Sequence, residues 1–205
     1  MRGVGTHVGR PAQLGPGLRR GGLSREGRVI ETARLVLRPW RDEDVAPFHA
    51  VNQDAEVIRF LYDDPPDLAA MRASVDRRRA SQARHGHCFW AVERRDTGAL
   101  IGFCGLEHGP EGTPVAGEVE IGWRLARPHW RQGFAHEAAS ASLAWAWAAG
   151  VPEVVAITTP ANEPSWRLME KLGMTRDARA DFDHPAIPAG HRLSRHLTYR
   201  IQRPA

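Results

Sequence analysis

The segment Trp130-Arg131-Gln132-Gly133-Phe134-Ala135 stands between an alternating run, Glu118 to Leu125, and a long alanine-rich stretch. The alternation puts Val119, Ile121, Trp123 and Leu125 on one face of a strand. The stretch 134–149, stopped by Gly150 with Pro152 beyond, reads as a helix. The segment is then a tight strand-to-helix turn. The first amides of a helix have no intrahelical acceptor, and Gly133 puts no side chain in front of them. Those donors and the positive end of the helix dipole suit a pyrophosphate. A lone Gly-x-Ala also fits an ordinary strand–turn–helix, so its meaning depends on the neighbouring segments.

Those neighbours follow a readable order. Leu35-Val36-Leu37 forms a short strand that ends at Pro39, and Asp42 is placed to cap a helix starting near Glu43. A second helix is expected from Asp67 to about Arg84, with Leu68, Met71 and Val75 as its apolar stripe and arginines on its other faces. Cys88 to Glu93 and Leu100 to Leu106 flank the turn Asp96-Thr97-Gly98 as a hairpin. Val154 to Ile157 is a short buried strand. Asn162 caps a helix with Pro164 in its first turn, ending at Lys171-Leu172-Gly173, and His196 to Ile201 is the last strand.

Composition narrows the function classes. The 205 residues suit one domain, residues 28–205, and no apolar run approaches the roughly 18 residues of a membrane span. Residues 1–27 are rich in Gly and Arg, lack apolar periodicity and are expected to be a disordered extension. They carry five arginines against Glu26, which accounts for the net charge of +4. The remainder balances, so the domain has no net field to draw nucleic acid. Cys88 and Cys104 read as core thiols of a reducing, cytoplasmic compartment. His184, His191 and His196 match no zinc spacing, so no metal site is expected. Trp145 and Trp147 cannot share one helix face; one is expected in the core and the other exposed or covered by a partner, which leaves a homodimer open.

The order of elements and several local phrases resemble the GCN5-related N-acetyltransferase (GNAT) superfamily, in particular the branch of the ribosomal-protein N-acetyltransferases. The turn resembles the acyl-CoA pyrophosphate loop, Gln/Arg-x-x-Gly-x-Gly/Ala: Gly133 and Ala135 match, and Trp130 stands at the first position. Thr32 to Trp40 resembles the branch's opening strand and Gly98 to Leu106 its central hairpin. Asn162 to Ser165, with Glu170 to Met174, resembles its penultimate helix. The resemblance covers roughly residues 31–202. It implies an α/β (α+β) GNAT fold: a central mixed, twisted sheet with a splay between two parallel strands, flanked by about four helices. It also implies acetyl-CoA as co-substrate. The expected contacts are the backbone of Trp123 and Leu125 on the splayed edge, the loop residues Arg131, Gln132, Gly133, Phe134 and Ala135, and Asn162.

Acyl transfer to an amine needs a neutral nucleophile, and an alkyl ammonium of pKa ~10.4 needs a base or a water relay. Glu118 and Glu120 share the face opposite Val119 and Ile121. Glu120, nearer the cofactor end, is the preferred base, with Glu118 or a water relay as alternatives. The tyrosine that many superfamily members use to meet the leaving thiolate is replaced by Met169. The resemblance passes that role to Ser165, whose hydroxyl could instead cap its own helix. Asn162 is an N-cap, a cofactor contact, or both. The expected activity is acetyl transfer from acetyl-CoA to a primary amine, of a protein N-terminus or a small molecule, in a ternary complex. The alternative is a non-catalytic acyl-CoA-binding sensor module. Acceptor choice is assigned to residues 52–87 and 181–196. There Asp54, Glu56, Asp63, Asp64, Asp67, Asp181 and Asp183 suggest an acidic entrance for a protonated amine, with Arg77, Arg78, Arg79 and Arg84 turned to solvent.

Overall fold

Nine strands form one sheet in the computed structural model, which describes residues 29–205. The N-terminal extension lies outside the described residues. In chain order the strands are β1 Ile30–Glu31, β2 Leu35–Arg38, β3 Phe89–Arg94, β4 Leu100–His108, β5 Val119–Leu125, β6 Glu153–Thr158, β7 Thr175–Arg176, β8 Phe182–Asp183 and β9 Arg195–Gln202. Across the sheet they lie β1-β2-β3-β4-β5-β6-β9-β7, with β8 on β9. The α-helices are α1 Val45–Val51, α2 Ala55–Ile58, α3 Leu68–His85, α4 Phe134–Ala148 and α5 Glu163–Lys171. All paired strands are antiparallel except β5 and β6.

The middle of the sheet is covered on both faces, which explains the unbroken apolar run in β4. Cys104 meets Ser142 of α4 on one side, Sγ to Oγ 3.8 Å. Phe103 meets Phe48 of α1 on the other, ring centroids 6.0 Å apart. A strand buried on both faces needs no polar alternation. Trp145 and Trp147 are both half-buried against this core, Trp145 on Trp90 at 5.3 Å, so neither is the fully exposed ring that the sequence suggested.

Two helix expectations change in detail. A single 3-10 turn, Asp42–Asp44, precedes α1, and the carboxylate that caps it is Asp44, which accepts from the Arg41 amide at 2.7 Å. Asp42 reaches instead to Arg79 at 2.9 Å. Asp44 is held because Arg38 grips it with two bonds of 2.7 and 2.8 Å, and both side chains are buried. In α3, Asp67 caps the Ala70 amide at 2.7 Å as a helix start requires. The face it buries is Met71, Ser74, Val75 and Arg78, whereas Leu68 is exposed. Arg78 completes the i, i+3, i+4, i+7 stripe that begins at Met71, so it points inward rather than to solvent.

The parallel pair positions the site. β5 and β6 are in register at one place only, Glu120 opposite Val155. Beyond that point, toward their C-terminal ends, the two strands part. The loops leading into α4 and α5 follow those two ends, so both helix N-termini open onto the gap.

Candidate active site

The turn before α4 is shaped by backbone conformation. Arg131 has φ 58° and Gly133 has φ 81°, both left-handed. Such a conformation costs a non-glycine residue ~1–2 kcal/mol, so Arg131 is held in place by its surroundings. The hold comes from Arg34, just before β2. Its Nη1 donates to the Gln132 carbonyl at 2.9 Å, its Nε bonds Glu137 in the first turn of α4 at 2.6 Å, and its guanidinium lies 4.3 Å from the Phe134 ring centroid. With the Gln132 carbonyl drawn inward, the amides of residues 131 to 136 find no acceptor among the described residues. They are a row of free donors at the positive end of a helix. The side chain of Gln132 turns back to Pro128 at 2.7 Å, and that of Arg131 is exposed.

The splayed edge of β5 follows from ladder alternation. The bonds from Ala126 to the Ile101 carbonyl, 2.8 Å, and from Gly109 to the Glu118 carbonyl, 2.8 Å, give the hydrogen-bonded parity of β4 with β5. Glu118, Glu120, Gly122 and Arg124 then face β4 with their backbone, while Val119, Ile121, Trp123 and Leu125 face β6. Past Glu120 no β6 partner remains for Trp123 and Leu125. One group on that edge is taken: the Trp130 indole donates to the Leu125 carbonyl at 2.7 Å. Trp130 thus belongs to the edge through its side chain, a role the motif comparison did not suggest. Thr159, just past β6, keeps a buried hydroxyl with no partner.

The two candidate bases are separated by their partners. Glu118 is clamped by Arg200, which also binds Glu153 and Asp177. Glu120 makes no hydrogen bond or ion pair through its carboxyl with any described residue. It keeps some solvent contact, yet protein surrounds its carboxyl. Burial, and then the carboxylate of Glu107 opposite it on β4, push its pKa up to about 8. Glu107 is itself raised by burial and is bonded by the Ser81 hydroxyl at 2.6 Å.

On α5, Asn162 occupies the N-cap position but its side chain makes no capping bond. The Ser165 hydroxyl likewise takes no partner among the described residues, while its amide donates to the Asn162 carbonyl at 3.0 Å. Neither polar group is consumed by its own helix, contrary to the capping expectation. Met169, one turn after Ser165, is buried.

The acetyltransferase (GNAT) domain profile matches residues 34–175. The chain belongs to the GNAT acetyltransferase family. Among its relatives is the uncharacterized N-acetyltransferase YoaA of Bacillus subtilis, 32% identical over 152 residues, covering 73% of this chain and 84% of YoaA. The fold matches an acetyltransferase of Agrobacterium tumefaciens, TM-score 0.68 at 28% identity, over 90% of this chain and 99% of the other. It also matches RimL, a ribosomal-protein alpha-N acetyltransferase solved in complex with coenzyme A, TM-score 0.69 at 14% identity, over 85% and 98%.

In this GNAT enzyme six of the seven acids expected to form an entrance are already engaged, and Asp64 alone pairs with no described residue. Asp54 pairs with Arg127 at 2.8 Å, Glu56 with Arg59 at 3.2 Å, Asp63 with Arg192 at 2.8 Å and Asp181 with Arg176 at 2.5 Å. Asp183 lies 3.6 Å from Arg195, and Asp67 caps α3. The acidic charge of the expected entrance is thus largely offset by pairing that sequence counting cannot see. The residues it missed are Arg34 and Glu137 behind the loop, Arg124 and Glu107 on the sheet face that carries Glu120, and Tyr62, with the misread Arg78 of α3, packed over that face.

Proposed function

We propose that this acetyltransferase moves the acetyl group of acetyl-CoA to a primary amine, with Glu120 as general base and Ser165 facing the leaving sulfur. The observation that carries the reading is the row of free amides at residues 131–136, beside a strand edge that has lost its partner and a carboxyl with no partner. The residues present fit the co-substrate. The amides of Arg131, Gln132, Gly133, Phe134 and Ala135 would hold the pyrophosphate, and the backbone of Trp123 and the Leu125 amide would pair with the extended pantetheine arm. Asn162 adds a free side-chain amide near the same end. RimL, with the same fold, was solved with coenzyme A bound, in line with this use of the gap.

Acetyl-CoA, when bound, supplies an activated acyl carbon and a thiolate leaving group. Glu120 takes the proton that the attacking ammonium must lose. A carboxyl of pKa about 8 is well matched to a peptide α-amine of ~7.7–8.0 and less so to an alkyl amine of ~10.4. The Ser165 hydroxyl offers the departing sulfur a hydrogen bond, since Met169 has no proton to give. The test is release of free thiol from acetyl-CoA with a panel of amines, alongside calorimetric titration of CoA. Binding without turnover for every amine would favour the sensor module. Absence of binding would overturn the placement of the loop.

A further inference from the structure

Arg124 shares its strand face with Glu120, and the residue between them is Gly122. A side chain on Gly122 would strike the Phe89 ring at 2.8 Å, so the glycine keeps that stretch of strand bare beneath the ring. Arg78 of α3 meets Arg124 over one aromatic surface: their guanidinium carbons lie 4.6 and 5.4 Å from the Phe103 ring centroid. Trp40, Phe48 and Phe89 complete the box around Arg78, at 5.4, 5.2 and 5.9 Å. Arg78 is only 8% exposed.

Neither guanidinium has an acidic partner within an ion-pair distance among the described residues. Arg78 donates to the carbonyl and hydroxyl of Ser74, and Arg124 to the buried Asn52 and, at 3.5 Å, to the Tyr62 hydroxyl. The Nε of each is buried with no acceptor. Aromatic faces stabilise a cation but do not accept these in-plane N–H bonds. A buried and a half-buried like charge, each with an unmet donor, are costly, and such arrangements gather where a ligand completes them. Burial first, and Arg124 second, lower Arg78 to about 10. Burial would raise the Tyr62 phenol, but the nearby guanidinium groups, Arg124 foremost, bring it below its ordinary value. Both shifts describe a cluster whose positive charge is not balanced. Glu107 is the acid closest to filling it, and burial leaves that carboxyl reluctant to ionise.

Resting on acetyl transfer to an amine at Glu120, we infer that the acceptor carries an anionic group, a carboxylate in the simplest case, which Arg124 and Arg78 receive while the amine faces Glu120. Arginine presents a planar fork of donors matched to a carboxylate. The two ends are separated by the strand from residue 120 to 124, roughly 13 Å between Cα atoms at ~3.3 Å per residue, with both long side chains reaching into the interval. This reverses the charge that an acidic entrance would have selected.

The experiment uses amine acceptors in matched pairs, each ω-amino acid or acidic peptide against its amide, with thiol release from acetyl-CoA as readout. Wild-type enzyme is expected to favour the carboxylate by roughly 10- to 100-fold in kcat/KM, the worth of a charge-assisted hydrogen bond. Free amino acids against acidic peptides in the same panel separate a small-molecule source from a chain terminus. Arg124→Gln is expected to bring the ratio toward one, Arg124→Lys to retain part of it, and Arg124→Glu to invert it toward cationic amines. A second readout avoids turnover: the N-acetylated carboxylate product should raise the melting temperature more than its amide, and Arg124→Gln should erase the difference. Equal turnover of carboxylate and amide, or a preference for cationic amines, overturns the inference while leaving acetyl transfer intact. No thiol release with any amine overturns the acetyl-transfer reading. In that case, equal thermal shifts with both products overturn this inference as well.

Discussion

At the scale of single residues, Glu120 and Glu118 are identical side chains two positions apart with different chemistry. Arg200 occupies the Glu118 carboxylate in an ion pair; Glu120 has only Glu107 and surrounding protein. The raised pKa has a definite sign. Below about pH 8 Glu120 is protonated and cannot accept a proton; above it the carboxylate is available. Turnover with an α-amine should therefore climb through about pH 8. Glu120→Gln should lower kcat/KM by ~10²–10⁴-fold above that pH, with a smaller gap below it and little change in CoA affinity. An unchanged pH–rate profile in the variant would remove Glu120 from the reaction. For Ser165, the free hydroxyl makes a two-part expectation. Ser165→Ala should lower kcat by up to about 10²-fold, by analogy with loss of one oxyanion donor, and leave the melting temperature where it was. A drop in stability with intact kcat would return the hydroxyl to a capping role.

At the scale of elements, the junction of β2, the turn and α4 behaves as one unit. Arg34 ties the Gln132 carbonyl to Glu137 across 98 and 103 residues of sequence. Gly133→Val brings a Cβ no nearer than 3.3 Å to Arg34, so its main cost is the left-handed backbone, ~1–2 kcal/mol, together with a side chain in front of the free amides. CoA affinity should fall about tenfold or more by calorimetry, with the fold checked by circular dichroism. Equal affinities would mean the pyrophosphate lies elsewhere. The pair Arg38–Asp44 fixes the opposite corner, where β2 enters α1. Asp44→Ala strands a buried guanidinium and should cost about 3–5 kcal/mol in urea denaturation. The remaining bond from Arg38 to Glu93, 2.7 Å, keeps the cost toward the lower end of that range.

For the whole molecule, the core is built from residues 35 to 199, with Ile30 and Ile201 packed at its margin. A chain shortened to begin at Arg28 is expected to keep its melting temperature and its CoA affinity. A fall of many degrees would show that the N-terminal residues contribute to the fold. Because the proposed co-substrate bridges α4, β5 and α5, its binding should stabilise the domain as a unit, by ~2.7 kcal/mol at a hundredfold excess over Kd. A melting temperature indifferent to acetyl-CoA would contradict the bridging arrangement.

The sequence by itself determined the longer elements and their order, and missed the short ones, β1, α2, β7 and β8, whose two to four residues carry too little periodicity to read. Alternation in 119–125, the hairpin around Asp96-Thr97-Gly98, and the glycine that stops α4 are local signals, and each reappears within a residue or two, whereas the caps expected from Asp42 and Asn162 do not form. The glycine turn before α4 was legible for the same reason, since free amides at a helix start follow from chain geometry alone. Tertiary structure decided which polar side chains remain free. Sequence position only favoured Glu120 over Glu118, and Arg200, arriving from β9, separates them by occupying Glu118; most acids of the expected entrance are paired with arginines up to 129 residues away. Arg78 read as one of a solvated run because its helix carries arginines all round, and only packing against Phe103 shows it buried. Charge in a sequence is a count, whereas charge in a site is what remains after long-range pairing, and that remainder is set by the fold.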